Sequence, residues 1–290
     1  MYKIAAGIVT FNPDISRLKE NLDSISQQVD HVYVVDNGSL NFDDILHFAN
    51  DHISINRNLK NFGIARALNQ IIEMSGNNNY THILFLDQDS VASSNMCKGL
   101  AEHIQNNIGI IAPHIIDRNR DEQYYPKGTY EIKNGARNSV ITSGSLVDIK
   151  IAKEIGAFDS DLFIDYVDFD FNERILEHGY KIIVCSDVFL LHEKGKSEPT
   201  WLKVPCRSND GKLFLKRIYR LGYNSFRNYY QARNRVIYTR KYFHSVWWKF
   251  EGINEIPFLI GLTLLFDSQK FLKIKAFLRG MFDGIKFKLK

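Results

Sequence analysis

The stretch His82-Ile-Leu-Phe-Leu-Asp87-Gln-Asp89-Ser90 decides how the rest of the chain is read. Its apolar run, with no polar alternation, predicts a strand buried on both faces of a parallel sheet. The run stops at two carboxylates spaced one apart. They fall at the strand's C-terminal edge, where open α/β sheets bind their ligands. Residues i and i+2 of an extended segment point to one side, so Asp87 and Asp89 can converge on a single point. Converging carboxylates repel unless something positive lies between them, and a hard divalent cation, Mg²⁺ or Mn²⁺, suits oxygen ligands of this kind. An ordinary acidic turn is the competing reading. On this stretch alone both stand.

Upstream, the pattern alternates between strand and helix. Residues 3–11 read as a buried strand closed by Asn12-Pro13, with Asp14 placed to cap a helix carrying Ile15, Leu18, Leu22 and Ile25 at helical spacing. Residues 32–35 form a second strand, closed by Asp36-Asn37-Gly38-Ser39. A weak helix over 43–49 and a short strand over 53–55 precede a loop, Asn58 to Asn69, that runs into a helix reaching Met74. Such alternation predicts a parallel sheet with crossover helices. Four strand ends are polar: Asn12, then Asp36, then Asn58 with Asn61, then Asp87 with Asp89. Together they describe one crevice.

Downstream, a helix over 96–105 and a strand over 108–115 lead into a polar, Tyr-rich loop or hairpin over 117–138. Residues 140–147 read as an apolar strand interrupted by Thr142-Ser143-Gly144-Ser145, and a Gly inside a strand marks close approach of a ligand or another backbone. Phe163-Ile-Asp165-Tyr-Val-Asp168-Phe-Asp170 opens a helix that ends at Gly179, a suitable C-cap, and Asp165 is placed to share the helical face of Asp168. Two short strands, 182–185 and 188–191, end at His192. From Pro205 the strands stop, and 211–290 reads as helices rich in Tyr, Phe, Arg and Lys. The expected division is 1–205 and 206–290.

Composition is that of a globular protein, 44% apolar and 24% charged, with a net charge of +4. The charge is uneven. Residues 267–290 hold seven Lys or Arg and two Asp, so this segment is +5 and the remainder −1. A nucleic-acid binder would carry basic patches on its main domain, so nucleic acid is excluded as the expected partner. Phe271, Ile274, Leu278, Met281 and Ile285 fall at steps of three and four among those lysines. A basic amphipathic helix of this sort either lies in a membrane interface or docks on its own core with a solvated Lys face. The apolar run 256–266 just before it favours the membrane and is too short to cross one. Cys97, Cys185 and Cys206 match no zinc or redox spacing, and a reducing cytosol is the simplest setting. The N-terminal apolar run is shorter than a signal peptide needs and reads as the first strand.

Taken together, these residues resemble an inverting family 2 glycosyltransferase with the GT-A fold. The pattern is carried by Ile8-Val-Thr-Phe-Asn12, Val34-Val-Asp36-Asn37-Gly-Ser39, Asn61-x-Gly63-x-Ala65-x-x-x-Asn69, Leu86-Asp87-Gln-Asp89, Gly144, Gly156-x-Phe158-Asp159 and Asp168-x-Asp170-x-x-x-Arg174, in that order. It covers about residues 4–197. Asn12-Pro13-Asp14, Gln28-Val29 and Phe163-Ile-Asp-Tyr-Val-Asp168 resemble the bacterial rhamnosyltransferases. The resemblance implies an α/β, mostly parallel sheet flanked by helices, the nucleotide-diphospho-sugar transferase (GT-A) fold, with a C-terminal helical extension.

It also implies roles. Asp36 would accept a hydrogen bond from a pyrimidine ring, with Thr10 and Asn12 lining the base site; the alternative for Asp36 is a plain turn. Gly63 and Ala65 would let the donor approach the backbone, beside Asn61, which can equally be an N-cap. Asp87 would lie by the ribose and the metal, and Asp89 would bind Mg²⁺ or Mn²⁺ directly, neutralising the departing diphosphate. Asp168 would be the single general base that inversion requires, against the alternative of complementing a helix dipole. Asp170 stands open between the same two readings. Many relatives carry Glu just before this Asp, where this chain has Val167. His192 would be a metal or diphosphate ligand, or a structural His. Arg233, in Tyr229-Tyr230-x-x-Arg233-Asn234, would hold a diphosphate, or pack with Phe226, Tyr230 and Ile237.

The function expected is transfer of L-rhamnose from dTDP-rhamnose to a polyprenyl-diphosphate-linked glycan, in bacterial surface polysaccharide synthesis, by a cytoplasmic enzyme peripheral on the inner face of the cell membrane. A UDP-sugar donor, of galactofuranose or an N-acetylhexosamine, is the near alternative. A sugar nucleotidyltransferase would show a Gly-rich basic first loop, which Val9-Thr-Phe-Asn-Pro lacks. A non-catalytic scaffold would have lost a carboxylate, and none is missing.

Overall fold

The computed structural model describes residues 2–118, 128–133, 139–193, 198–207, 213–220, 222–246 and 255–289. The chain forms two compact units, Met1–Glu193 and Lys194–Lys290. The first contains β1 (Ile4–Thr10), α1 (Ile15–Ile25), β2 (His31–Asp36), α2 (Phe42–Leu46), β3 (Ile53–Arg57), α3 (Ile64–Asn77), β4 (His82–Asp87) and β5 (Val91–Ala92). It continues with α4 (Met96–Ala101), β6 (Ile108–Asp117), β7 (Thr129–Glu131), β8 (Leu146–Asp148), α5 (Ile149–Glu154), α6 (Val167–Glu177) and β9 (Lys181–His192). Among the described residues these strands make one sheet ordered β3-β2-β1-β4-β8-β6-β9-β5, with β7 paired to β9.

The half β3-β2-β1-β4 is parallel throughout. In the other half β6 and β9 run parallel, while β8, β5 and β7 pair antiparallel. β4 is buried on both faces, as its unbroken apolar run predicts. Leu84 and Leu86 pack with Ile8 of β1 and with Leu18, Leu22 and Ile25 of α1. On the other face Phe85 meets Phe158 edge-on at 5.7 Å, and Phe158 stacks on Phe171 of α6 at 4.2 Å. Asp14 caps α1 by accepting from the amides of Ser16 and Arg17.

Several elements differ from expectation. The two short strands before His192 are one strand, β9, whose pairing with β6 skips from Cys185 to Phe189; a bulge at Ser186-Asp187-Val188 hides the continuity. The strand expected over 140–147 is only β8, because Gly144 (φ +87°) turns the chain just before it. α6 starts at Val167, since Asp165 and Tyr166 are left-handed (φ +62° and +66°); Asp165 therefore does not share a helical face with Asp168. Of the loop expected over 117–138, β7 is an added antiparallel strand, and 119–127 and 134–138 lie outside the described residues. So do Lys194-Gly195-Lys196-Ser197, which follow the site region.

The second unit opens with a hairpin where helices were expected. β10 (Glu198–Arg207) pairs antiparallel with β11 (Leu213–Arg220). Leu213-Phe-Leu-Lys-Arg-Ile-Tyr-Arg220 mixes aromatic, aliphatic and basic residues, and in a two-stranded ribbon Pro199 and Pro205 are tolerated because every strand is an edge. Helices α7 (Ser225–Lys241), α8 (Phe243–Val246), α9 (Ile256–Phe266) and α10 (Lys270–Lys286) follow. α10 buries Lys273, Phe277, Gly280 and Gly284, and of its apolar stripe Met281 is partly buried against the Ala232–Ile256–Phe277 cluster. A Cβ on Gly280 would run into the Tyr229 carbonyl oxygen, and one on Gly284 would lie 2.6 Å from that of Arg233, so the two backbones meet only because these residues have no side chain. The ammonium of Lys273 is buried against Asp267 at 2.9 Å. Phe271 is consequently 88% exposed, and Leu278 and Ile285 are exposed with it.

Candidate active site

The register of the parallel half brings the polar strand ends to one level. Thr10 of β1 lies beside Asp36 of β2, Asp36 beside Arg57 of β3, and Val9 beside Asp87 of β4. A single sheet edge therefore carries the polar strand ends side by side.

At that edge, Asp36 is fully buried. Its carboxylate accepts from the Thr10 hydroxyl (3.1 Å), the Ser39 hydroxyl, and the amides of Gly38 (3.2 Å) and Ser39 (3.0 Å). A carboxylate has about four lone-pair sites, and all are engaged. A base ring would reach Asp36 by displacing one of these donors. Asn12, left-handed at φ +47°, ties the neighbouring loop: its amide donates to Ser39 Oγ (2.7 Å) and its side-chain oxygen accepts from Leu40 N–H (2.8 Å).

Asn61 is not the N-cap of α3. Its side-chain oxygen accepts from the Gly63 amide (2.8 Å) and from Asn37 Nδ2 (2.9 Å), which holds the loop ahead of the helix. Gly63 (φ +89°) is approached by protein: a Cβ there would lie 2.7 Å from the Phe163 carbonyl oxygen, and that oxygen accepts from Ile64 N–H at 2.8 Å. The glycine thus seats the segment that leads to Asp168 against the start of α3.

Asp87, Asp89 and His192 come together at the ends of β4 and β9. One ligand atom from each lies within 4.8 Å of the others. Two carboxylates and an imidazole fit Mg²⁺ or Mn²⁺. Burial and the neighbouring charge of Asp87 raise the pKa of Asp89, and His192 opposes the shift. Bringing a cation to this point would reverse the penalty.

The turn between them is fixed by residues that the sequence reading missed. Asn21 of α1, fully buried, donates to the carbonyls of Asp87 (2.8 Å) and Ser90 (2.6 Å). A signal existed: Asn21 is the polar member of the core-facing set Leu18, Asn21, Leu22, Ile25. At the rim, Arg118 holds Glu20 through both nitrogens (3.1 and 2.8 Å), while Arg17 bonds Glu20 (3.1 Å) and Glu193 (2.9 Å).

Asp168 is the second residue of α6, partly buried, with Oδ1 accepting from Phe169 N–H at 3.0 Å. Desolvation pushes its pKa up to about 6, with the charges of Asp165 and Asp87 adding to the shift and backbone hydrogen bonds opposing it. Asp87 is thus near enough for its charge to be felt. Asp170, two residues on, is buried and paired with Arg174 Nε at 2.9 Å, and Arg174 also donates to the Ile155 carbonyl (2.8 Å). That pair ties α6 to the end of α5. Arg233 belongs to the second unit, where it donates to Asn234 Oδ1 (2.8 Å) and lies over the Phe287 ring at 4.8 Å.

Comparison with known proteins identifies the family and the fold. The family model "Glycosyl transferase family 2" matches residues 6–150, and "Glycosyl transferase family group 2" matches 82–278. The chain is 30% identical, over 98% of its own length and 95% of the relative's, to a dTDP-rhamnosyl transferase, RfbF, of Shigella flexneri. The chain belongs to glycosyltransferase family 2. Among solved structures, S. aureus TarS 1–349 in complex with UDP-GlcNAc superposes with a TM-score of 0.58 at 13% identity, over 96% of this chain and 81% of that one. GalNAc-T7 with UDP, GalNAc and Mn²⁺ gives 0.56 at 15% identity, over 67% of this chain and 44% of that one. Those two likenesses concern the fold, which is GT-A. This glycosyltransferase carries the Asp87–Asp89–His192 cluster at the ends of β4 and β9, and Asp168 at the start of α6.

Proposed function

We propose that the enzyme transfers L-rhamnose from dTDP-rhamnose to a hydroxyl of a polyprenyl-diphosphate-linked glycan in surface polysaccharide synthesis, by one in-line displacement that inverts the anomeric centre. The observation that carries the chemistry is the pairing of an Asp87–Asp89–His192 cluster with a separate carboxylate, Asp168, poised near pH 6. At neutral pH Asp168 is ionised yet still basic enough to take a proton from the attacking hydroxyl. Asp87, Asp89 and His192 would hold Mg²⁺ or Mn²⁺, which supplies charge neutralisation for the leaving diphosphate. Thr10, Asn12, Asp36, Asn61 and Gly63 would shape the nucleoside site through the loops they fix. Identity to a dTDP-rhamnosyl transferase supports rhamnose over the alternatives.

The second unit would rest on the inner face of the cell membrane, where a lipid-linked acceptor resides. α9 is apolar around its whole circumference, yet within it only Ile256 is buried. Such a helix normally sits inside a core or in lipid. Phe271, Leu278 and Ile285 of α10 extend the exposed apolar surface, and Lys275 and Lys286 lie exposed beside them to meet anionic headgroups. No helix among the described residues is long and apolar enough to cross a membrane.

A donor screen tests the reading. Nucleoside diphosphate release is measured with Mn²⁺ or Mg²⁺ from dTDP-rhamnose, UDP-galactofuranose and UDP-GlcNAc, in the presence of a polyprenyl-diphosphate glycan. Turnover of dTDP-rhamnose above the UDP-sugars is expected. Turnover of a UDP-sugar alone would transfer the assignment to that donor.

A further inference from the structure

The β10–β11 hairpin turns an unusual face outward. Residues alternate between the two faces of a strand, and register partners share a face. Leu213, Leu215 and Arg217 of β11 therefore lie on one side, together with Pro205 and Lys203 of β10, the register partners of Leu215 and Arg217. All of them are exposed, Leu213 at 79% and Leu215 at 65%. On the other side Phe214 is exposed, while Val204, Cys206 and Ile218 are half-buried. The solvated side of an antiparallel ribbon is normally polar. This one is apolar near Leu213 and cationic next to it.

Two features of that face call for a partner outside the chain. Lys203 and Arg217 stand directly opposite each other. Like charges at opposed positions destabilise a ribbon, and among the described residues no acid pairs with either. An anion over the pair would remove that cost. The two leucines and Pro205 leave water only against another apolar phase. This set is far smaller than the roughly 20–30 residues a side of a stable protein interface. A bilayer instead offers acyl chains beside phosphates. Lying flat on it, the ribbon would seat Leu213 and Leu215 at the acyl boundary while Lys203 and Arg217, on long stems, reach the phosphates. The outer backbone edges would stay in the hydrated headgroup layer. The hairpin is also rooted in the exposed apolar α9: Trp201 meets the Phe266 ring at 5.5 Å, and Arg220 donates to the Phe266 carbonyl at 2.7 Å.

We propose that this face of the β10–β11 hairpin is a second membrane contact, specific for anionic lipid: Leu213 and Leu215 enter the boundary between headgroups and acyl chains, and the Lys203–Arg217 pair binds lipid phosphates. This rests on the membrane reading of the second unit and deepens it, adding an element separate from α9 and α10. The hairpin then helps to hold the enzyme where a lipid-linked acceptor resides.

The test is co-sedimentation of the full chain with vesicles of phosphatidylcholine, with and without phosphatidylglycerol. Wild type should prefer the vesicles that contain phosphatidylglycerol. Lys203→Gln with Arg217→Gln should weaken binding to them about 10-fold and leave binding to phosphatidylcholine alone unchanged. Leu213→Ser with Leu215→Ser should weaken binding to them about 10-fold, and Leu215→Ser alone serves where the pair does not fold, as judged by circular dichroism. Both pairs should keep wild-type turnover of a water-soluble acceptor. For location, Leu213→Cys in a Cys206→Ser background is labelled with an environment-sensitive fluorophore, since Cys97 and Cys185 are buried. Its emission should shift to the blue on adding phosphatidylglycerol vesicles. Wild-type affinity in both pairs, with an unshifted label, would overturn the role of the hairpin and leave α9 and α10 as the membrane contact. Failure of wild type to bind either vesicle would remove the membrane reading and this inference with it. A wild-type dimer that dissociates in the leucine variant, measured by analytical ultracentrifugation, would assign the face to a second copy and overturn the proposal.

Discussion

The C-terminal edge of β1, β2 and β4 and the outer face of α9 and α10 both depart from the usual apolar-in, polar-out arrangement, and they depart in opposite directions. At the strand edge, polar side chains go inside: Thr10, Asp36, Asn37, Ser39, Ser90 and Ser143 are all buried, and each is hydrogen-bonded. On the helices, apolar side chains go outside, with Phe258, Leu265, Phe271, Leu278, Phe282 and Ile285 exposed. Buried polar groups with full partners form a rigid, preorganised frame. Exposed apolar surface costs free energy until something covers it. The first region has its polar groups partnered; the second leaves apolar surface uncovered.

The comparison breaks most visibly at Asp168. Asp168→Asn should lower sugar transfer about 10³-fold by removing a general base, measured as nucleoside diphosphate release. The same change should stabilise the fold. The Asp168 pKa is raised on folding from 3.8 to about 6. The folded state therefore favours the protonated acid, so stability falls as pH rises from about 4 to about 6 and the penalty persists above that. Asn removes it, and a gain of about 2 kcal/mol at pH 7 should appear in denaturant melts. In wild type, kcat/KM should decline as pH drops below about 6.

Asp89→Ala should cost about 100-fold in transfer and should abolish the response to added Mn²⁺, with the melting curve little changed. A residual metal response would point to Asp87 and His192 holding the ion alone. On the helical face, Phe271→Ser with Leu278→Ser should weaken binding to anionic liposomes about 10-fold and leave turnover of a water-soluble acceptor intact. Equal partitioning of variant and wild type would assign that face to another partner. The smallest effect is expected inside the second unit. Gly284→Ala should destabilise by about 1–3 kcal/mol, since its Cβ would press on the Arg233 carbonyl; an unchanged melt would mean that α7 and α10 can separate without loss.

Much of the first region was legible because hydrophobic period and strand-end chemistry agree there. The unbroken run before Asp87, the turn after Asp36 and the cap at Asp14 each have a single cheap reading. What was not legible depended on partners distant in sequence. Gly63 looked like room for a ligand and is room for Phe163. Asn21, a polar residue on the core-facing side of α1, is the clamp on Asp87 and Ser90. Asp170 shared its motif with Asp168, and only the Arg174 contact separates them. In the second region the stripe Phe271-Ile274-Leu278-Met281-Ile285 was correct as a pattern, but no periodicity could show that Gly280 and Gly284 form the packed face. The β10–β11 hairpin escaped notice because its basic residues masked a short aromatic strand.

Nucleoside diphosphate release from dTDP-rhamnose, compared between wild type and Asp168→Asn across pH 5 to 8, tests the central claim most directly. A wild-type rate that climbs through pH 6 to a plateau, with Asp168→Asn flat and about 10³-fold lower, is the predicted result. An Asp168→Asn variant with the wild-type rate and pH dependence would contradict it.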